Sequence, residues 1–94
     1  MRIFWDPEKS RSNLAKHKVS FERAKGVFDD PYHISEPDPC EDEERWRTLG
    51  VVDGVIILMV AHLEQEGSDG EEEIKIISAR KATLREREAY ETSH

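Results

Sequence analysis

Apolar positions recur at helical spacing early in the chain and condense into continuous runs in its middle. Phe21, Ala24, Val27 and Phe28 fall on one face at helical spacing, and Ser20 before them is placed to cap, with Val19 set to staple onto Ala24. A core helix is therefore predicted from Ser20, ending at Asp29-Asp30-Pro31. Upstream, Asp6-Pro7 is a strong helix start, because the Asp oxygen caps orphan amides and Pro needs no partner at the first helical position. That helix should run from Pro7 to about His17. Leu14 and Ala15 are its only apolar content, so it covers the core weakly and shows Lys9, Lys16 and His17 outward.

From Tyr32 onward the pattern changes to strands. Tyr32 to Ser35 can form a short one, and the prolines and charges of Glu36-Pro37-Asp38-Pro39-Cys40-Glu41-Asp42 favour an exposed loop. Arg45 to Val52 and Val55 to Leu63 read as a hairpin joined by Asp53-Gly54, a dipeptide suited to a type I′ turn. The unbroken run Val55 to Ala61 belongs in a sheet centre covered on both faces. Gly67-Ser68-Asp69-Gly70 makes the next connection and Glu73 to Ala79 another strand. Thr83 and Glu86 have capping-box spacing, so a last helix should begin near Leu84 and reach Tyr90 or beyond. Helices followed by antiparallel strands and a final helix make an α+β domain, and 94 residues make one domain spanning 1–94.

Composition adds constraints. A hydrophobic content of 36% and a mean hydropathy of -0.77 leave a small core, to which a partner's surface can add burial. The net charge of -7 argues against nonspecific nucleic-acid binding, which depends on cationic side chains. The charge is unevenly spread, however. Acids crowd Glu36 to Glu44 and Glu64 to Glu73, whereas bases dominate Lys9 to Lys25 and Lys75 to Arg87. A basic face can therefore persist on an acidic chain, although solvated charge runs are the plainer reading. Cys40 is the lone cysteine, which excludes an internal disulfide and points to a reduced cytosolic thiol. No signal-peptide run or membrane-length apolar stretch is present, so a soluble intracellular protein is expected. His17, His33, His62 and His94 are dispersed, and neither metal-ligand spacing nor a nucleotide-binding glycine motif is found, so no metal or cofactor is expected.

Two groups of residues carry a resemblance. Phe4-Trp5-Asp6-Pro7-Glu8-Lys9 through Asn13, Lys16-His17, Val19-Ser20-Phe21-Glu22, Ala24 and Val27 to Pro31, together with Ile76-Ile77-Ser78-Ala79-Arg80-Lys81-Ala82-Thr83, resemble the BrnT family of bacterial toxins. The resemblance spans roughly Phe4 to Tyr90. It implies a RelE-like fold, an RNA-cleaving toxin that arrests growth, and a BrnA-type antitoxin that sequesters the toxin and represses the shared operon, so that any contact with DNA is indirect.

Metal-free RNA cleavage needs a base for the ribose 2′-hydroxyl, cations for the crowded phosphorane and an acid for the leaving oxygen. Arg80 and Lys81, at the end of the last strand, are expected to converge on a phosphate, or else to pair with nearby acids. Arg45 and Arg47 project from one strand face and either clamp RNA or form exposed ion pairs. His62, following the buried strand, is expected at the sheet edge as a base or acid, or as a structural imidazole. Lys16, His17 and Lys75 are candidate RNA contacts, with helix-end packing as the alternative for His17. Tyr90 can reach toward RNA or pack with a bonded hydroxyl. Trp5 and Trp46 are expected to anchor the core rather than stack on bases. The competing functions are a noncatalytic module that binds an antitoxin and tunes operon repression, and an RNA-binding domain without turnover.

Overall fold

The protein is described by a computed structural model over residues 1–39 and 44–93. Cys40, Glu41, Asp42, Glu43 and His94 lie outside the described residues, and with them the expected thiol and the last part of the acidic loop. Among the described residues the order is β1 (Arg2–Phe4), α1 (Pro7–His17), α2 (Phe21–Ala24), a 3₁₀ turn (Lys25–Asp29), β2 (Ile34–Asp38), β3 (Arg45–Val52), β4 (Ile56–Glu66), β5 (Glu72–Lys81) and α3 (Leu84–Thr92).

The strands form one sheet in the order β1-β5-β4-β3-β2. β2 to β5 pair antiparallel, but β1 pairs parallel with β5, so the sheet is mixed and not wholly antiparallel as expected. The α+β class stands. β2 runs through Pro37, which the sequence places in a loop; an edge strand accepts proline because one row of its backbone donors has no neighbour to serve. The core helix is shorter than expected, one turn of α2 that tightens at Lys25 into the 3₁₀ segment. Asp53 and Gly54 both have positive φ, 54° and 74°, as a type I′ turn requires, and Val55 joins the turn at 80% exposure instead of opening the central strand.

Two faces follow from the register. Val52, Leu58, Val60, Ile76 and Ala79 point toward α1, α2 and the 3₁₀ turn, where they meet Val19, Phe21, Ala24 and Val27 in the core. Trp5 joins this side, its ring edge-on to Phe21 at 6.4 Å. Gly50 of β3 passes beneath the 3₁₀ turn so closely that a Cβ there would lie 2.8 Å from the Val27 Cβ and carbonyl oxygen. The opposite face carries Leu49, Met59 and Arg80, joined across β3, β4 and β5 in one register row, and α3 lies over this end of it. The other end of that face is not covered by a described helix.

Asn13 explains how a nearly apolar-free α1 stays attached. β1 pairs with β5 only from Glu73 to Lys75, which leaves Ala79, paired with Val60 of β4 on one side, with no strand on the other. The buried Asn13 amide fills that gap: its Nδ2 donates to the Ala79 carbonyl at 2.8 Å and to the Val19 carbonyl at 2.8 Å, and its Oδ1 accepts from the Ala79 N–H at 3.2 Å.

Candidate functional site

Alternation along β5 separates two residues expected to act together. Arg80 pairs in register with Met59 on the α3 face, whereas Lys81 pairs with Leu58, a residue of the opposite, core-facing side. Lys81 is exposed near Ala82 and Arg87 and does not converge with Arg80. The expected convergence of Arg80 and Lys81 is therefore not found, because their side chains leave opposite faces of β5.

His62 is also displaced from its expected position. It belongs to the central strand and is completely buried, not at the sheet edge, and its side chain is on the core face, opposite Arg80. The ring lies edge-on to Phe28 at 5.0 Å, and Nε2 shares a 2.7 Å hydrogen bond with the Thr48 hydroxyl, itself 2.7 Å from the Ser35 hydroxyl. Nδ1 has no hydrogen-bond partner of good geometry, with the Glu64 carboxylate 4.0 Å away. Burial drives the imidazole pKa down to about 4, so the ring is neutral at pH 7 and serves packing in place of proton exchange with a solvent-borne substrate.

Tyr90 is committed as well. Its hydroxyl donates to Asp30, whose Oδ2 also accepts the Val51 N–H at 2.9 Å and whose Oδ1 accepts the Tyr32 N–H at 2.9 Å. Burial, then the hydrogen bond to Asp30, pushes the phenol to about 12. Burial raises the Asp30 carboxyl, but the bonds from Tyr90, Val51 and Tyr32 outweigh it and hold its pKa below the ordinary value. The pair ties α3 to the loop after the 3₁₀ turn, as in the packed arrangement with a bonded hydroxyl that is the alternative to RNA contact. Lys16 and His17 end α1, which packs along β5 and α2, and neither joins the face that carries Arg80.

That face does assemble a constellation. Between α3 and strands β2 to β4 lies a cleft of about 220 Å³ with an apolar floor of Ile34, Leu49 and Met59 and a rim of Glu36, Arg47, Arg85 and Glu86. Arg47 donates to Glu36 at 2.7 Å, and its Nε is buried without a partner. Arg80 forms a two-pronged pair with Glu86, 2.7 Å from NH1 to Oε1 and 3.0 Å from NH2 to Oε2. The bond to Glu86 raises the Arg80 pKa, so the guanidinium is permanently charged, and the same bond lowers that of Glu86. Arg80 and Arg47 stand two strands and one register row apart, on the order of 12 Å between Cα atoms, a gap that two arginine side chains can close upon one phosphate.

Beyond the cleft the same face continues through Ser78 and Ala61 to Lys75 and Leu63. Lys75 has no ion pair among the described residues, and Arg45, at the start of β3, shares the side of Arg47. Glu36 and Arg85 line the cleft and were not among the candidates read from the sequence. The signal for Glu36 was its two-residue spacing from Ile34 on a strand, hidden by Pro37; that for Arg85 was its place beside Glu86 in the first turn of the last helix.

A search of the curated proteins finds no match. Among solved structures, the crystal structure of the Brucella abortus ribonuclease toxin BrnT is similar, with 27% sequence identity, a TM-score of 0.62, and coverage of 89% of this chain and 99% of that one. Residues 5–86 match the family model described as the ribonuclease toxin BrnT of type II toxin-antitoxin systems. The chain therefore belongs to the BrnT family of ribonuclease toxins.

Proposed function

We propose that this chain is a metal-independent endoribonuclease that cleaves messenger RNA and arrests growth, on a RelE-like sheet whose helix-bearing outer face is the active surface. The observation that carries the reading is the placement of two guanidiniums on one sheet face, Arg47 on the rim of the cleft and Arg80 beside it, held by Glu86 of that rim, each already paired with a carboxylate. Such a pair is suited to a phosphate whose charge grows in the transition state.

Glu36, exposed on the rim and 2.7 Å from Arg47, is the best-placed base. It takes the proton of the ribose 2′-hydroxyl; the 2′-oxygen forms a bond to phosphorus; Arg80 and Arg47 stabilise the phosphorane. The bond to the 5′-oxygen then breaks and that oxygen takes a proton from water, to which Glu36 gives up the proton it took, leaving a 2′,3′-cyclic phosphate and a 5′-hydroxyl. Lys75, Arg45 and Arg85 hold flanking phosphates. Glu86 acts through Arg80 as a positioning residue.

A type II toxin implies an antitoxin partner, and we assign a BrnA-type protein to that role. DNA contact would come only through it, and the RNA target sets the place of action in the cytoplasm. The pre-formed pairing of Arg47 with Glu36 and Arg80 with Glu86 favours one competing reading, a noncatalytic antitoxin-binding module whose arginines are already neutralised.

Incubation of labelled single-stranded RNA with the purified chain in EDTA, with analysis of product ends, distinguishes the two. Cyclic phosphates that disappear with Arg80→Ala are expected. Intact RNA together with tight antitoxin binding would leave the noncatalytic reading.

A further inference from the structure

Phe4 is a large aromatic side chain outside the core. Its neighbours Ile3 and Trp5 pack against the core cluster, and strand alternation turns Phe4 to the opposite face of the sheet, where it stays partly exposed. The register places it in one row with Lys75 of β5 and Leu63 of β4 on the half of the face that α3 does not cover. The Arg2 guanidinium lies over the Phe4 ring, 5.1 Å from its centroid, and is held there by a 3.2 Å bond to Glu73.

Three components of a single-strand binding subsite thus coincide: a π surface, a cation already stacked upon it, and a second cation, Lys75, in the adjacent strand. An unpaired base needs the first two, because stacking on an aromatic ring or a guanidinium plane accepts any base. Its phosphate needs the third. Phe4 stands on the order of 16 Å between Cα atoms from Arg47, by strand count and register, which a few nucleotides of extended strand can span.

We propose that Arg2 and Phe4 form a stacking platform for an unpaired nucleobase of the RNA, with Lys75 binding the adjoining phosphate, at a distance from the bond that is cut. The inference rests on the nuclease reading of this face but concerns binding, so it can be tested without cleavage.

The test uses the full chain and a single-stranded 2′-O-methyl oligonucleotide of mixed sequence containing 2-aminopurine, which cannot be cleaved and whose fluorescence falls on stacking. Wild-type chain should quench it. Phe4→Leu should weaken binding by roughly 5- to 100-fold, Phe4→Trp should restore it, and Arg2→Ala should give a smaller loss. Thermal melting verifies that the variants fold, and Phe4→Trp keeps the test decisive if Phe4→Leu does not. In RNA cleavage the Phe4→Leu effect should fall on KM with kcat little changed.

Equal binding by wild type and Phe4→Leu overturns the platform even if the chain cuts RNA. Loss of antitoxin binding with unchanged oligonucleotide binding also overturns it and assigns the ring to a protein partner. Binding that depends on Phe4 in a chain that cuts no RNA supports the platform and removes the nuclease reading instead.

Discussion

Glu86 holds Arg80 and the start of α3 with one carboxylate. Its oxygens receive the guanidinium at 2.7 and 3.0 Å, and Oε1 also accepts the Thr83 N–H at 2.8 Å, closing the capping box whose other half is the Thr83 hydroxyl. A helix cap thereby orients an arginine of the proposed active face.

Glu86→Gln should keep the bond to Thr83 while removing the charge that holds Arg80. With the two side chains 34% and 20% exposed, a loss of about 1 kcal/mol is expected at neutral pH, read by chemical denaturation. The Glu86 pKa is lowered in the folded state, so its stabilisation is present above the ordinary value of 4.5 and is lost as pH falls through the lowered one. Wild type and variant should therefore converge in stability at acid pH.

His62 gives a different acid response. Its folded pKa of about 4 lies below the ordinary 6.5, so the unfolded chain binds the extra proton first and stability falls as pH drops from 6.5 toward 4. The loss should reach roughly 3 kcal/mol. His62→Gln, measured by denaturation across this window, should flatten the dependence.

Asn13→Ala should destabilise by roughly 2–4 kcal/mol, since it strands the Ala79 N–H and the carbonyls of Ala79 and Val19 in buried positions. Hydrogen exchange should show the Ala79 amide losing protection, because α1 no longer closes the open edge of β5.

Gly50→Ala should cost about 1–3 kcal/mol in thermal or chemical unfolding, because the added methyl meets backbone and Cβ of Val27 at 2.8 Å. The 3₁₀ turn would have to move away from β3.

Helix α1 was legible because Asp6-Pro7 marks its start by local chemistry alone, and β3 because Asp53-Gly54 fixes the end of an alternating strand. Helix α3 followed from its capping box. β1 was not legible: three residues form a strand only by pairing with Glu73 to Lys75, some seventy positions away. The site shows the same division. Arg47 and Arg80 were singled out as candidates from the sequence, but that they share a face depends on pairing across β4. His62 was misplaced although the sequence held the clue, since it alternates in step with Leu58 and Val60 and so had to share their core face. Lys81 likewise had to oppose Arg80 by simple alternation.

The most direct test of the account compares single-turnover cleavage of one labelled RNA by wild type, Arg47→Ala, Arg80→Ala and Lys81→Ala, each verified as folded. Removing either arginine should slow cleavage by roughly 100-fold or more, while Lys81→Ala should cut close to the wild-type rate. Full activity in both arginine variants, with loss only in Lys81→Ala, would contradict the placement of the chemistry on the face shared by Arg47 and Arg80.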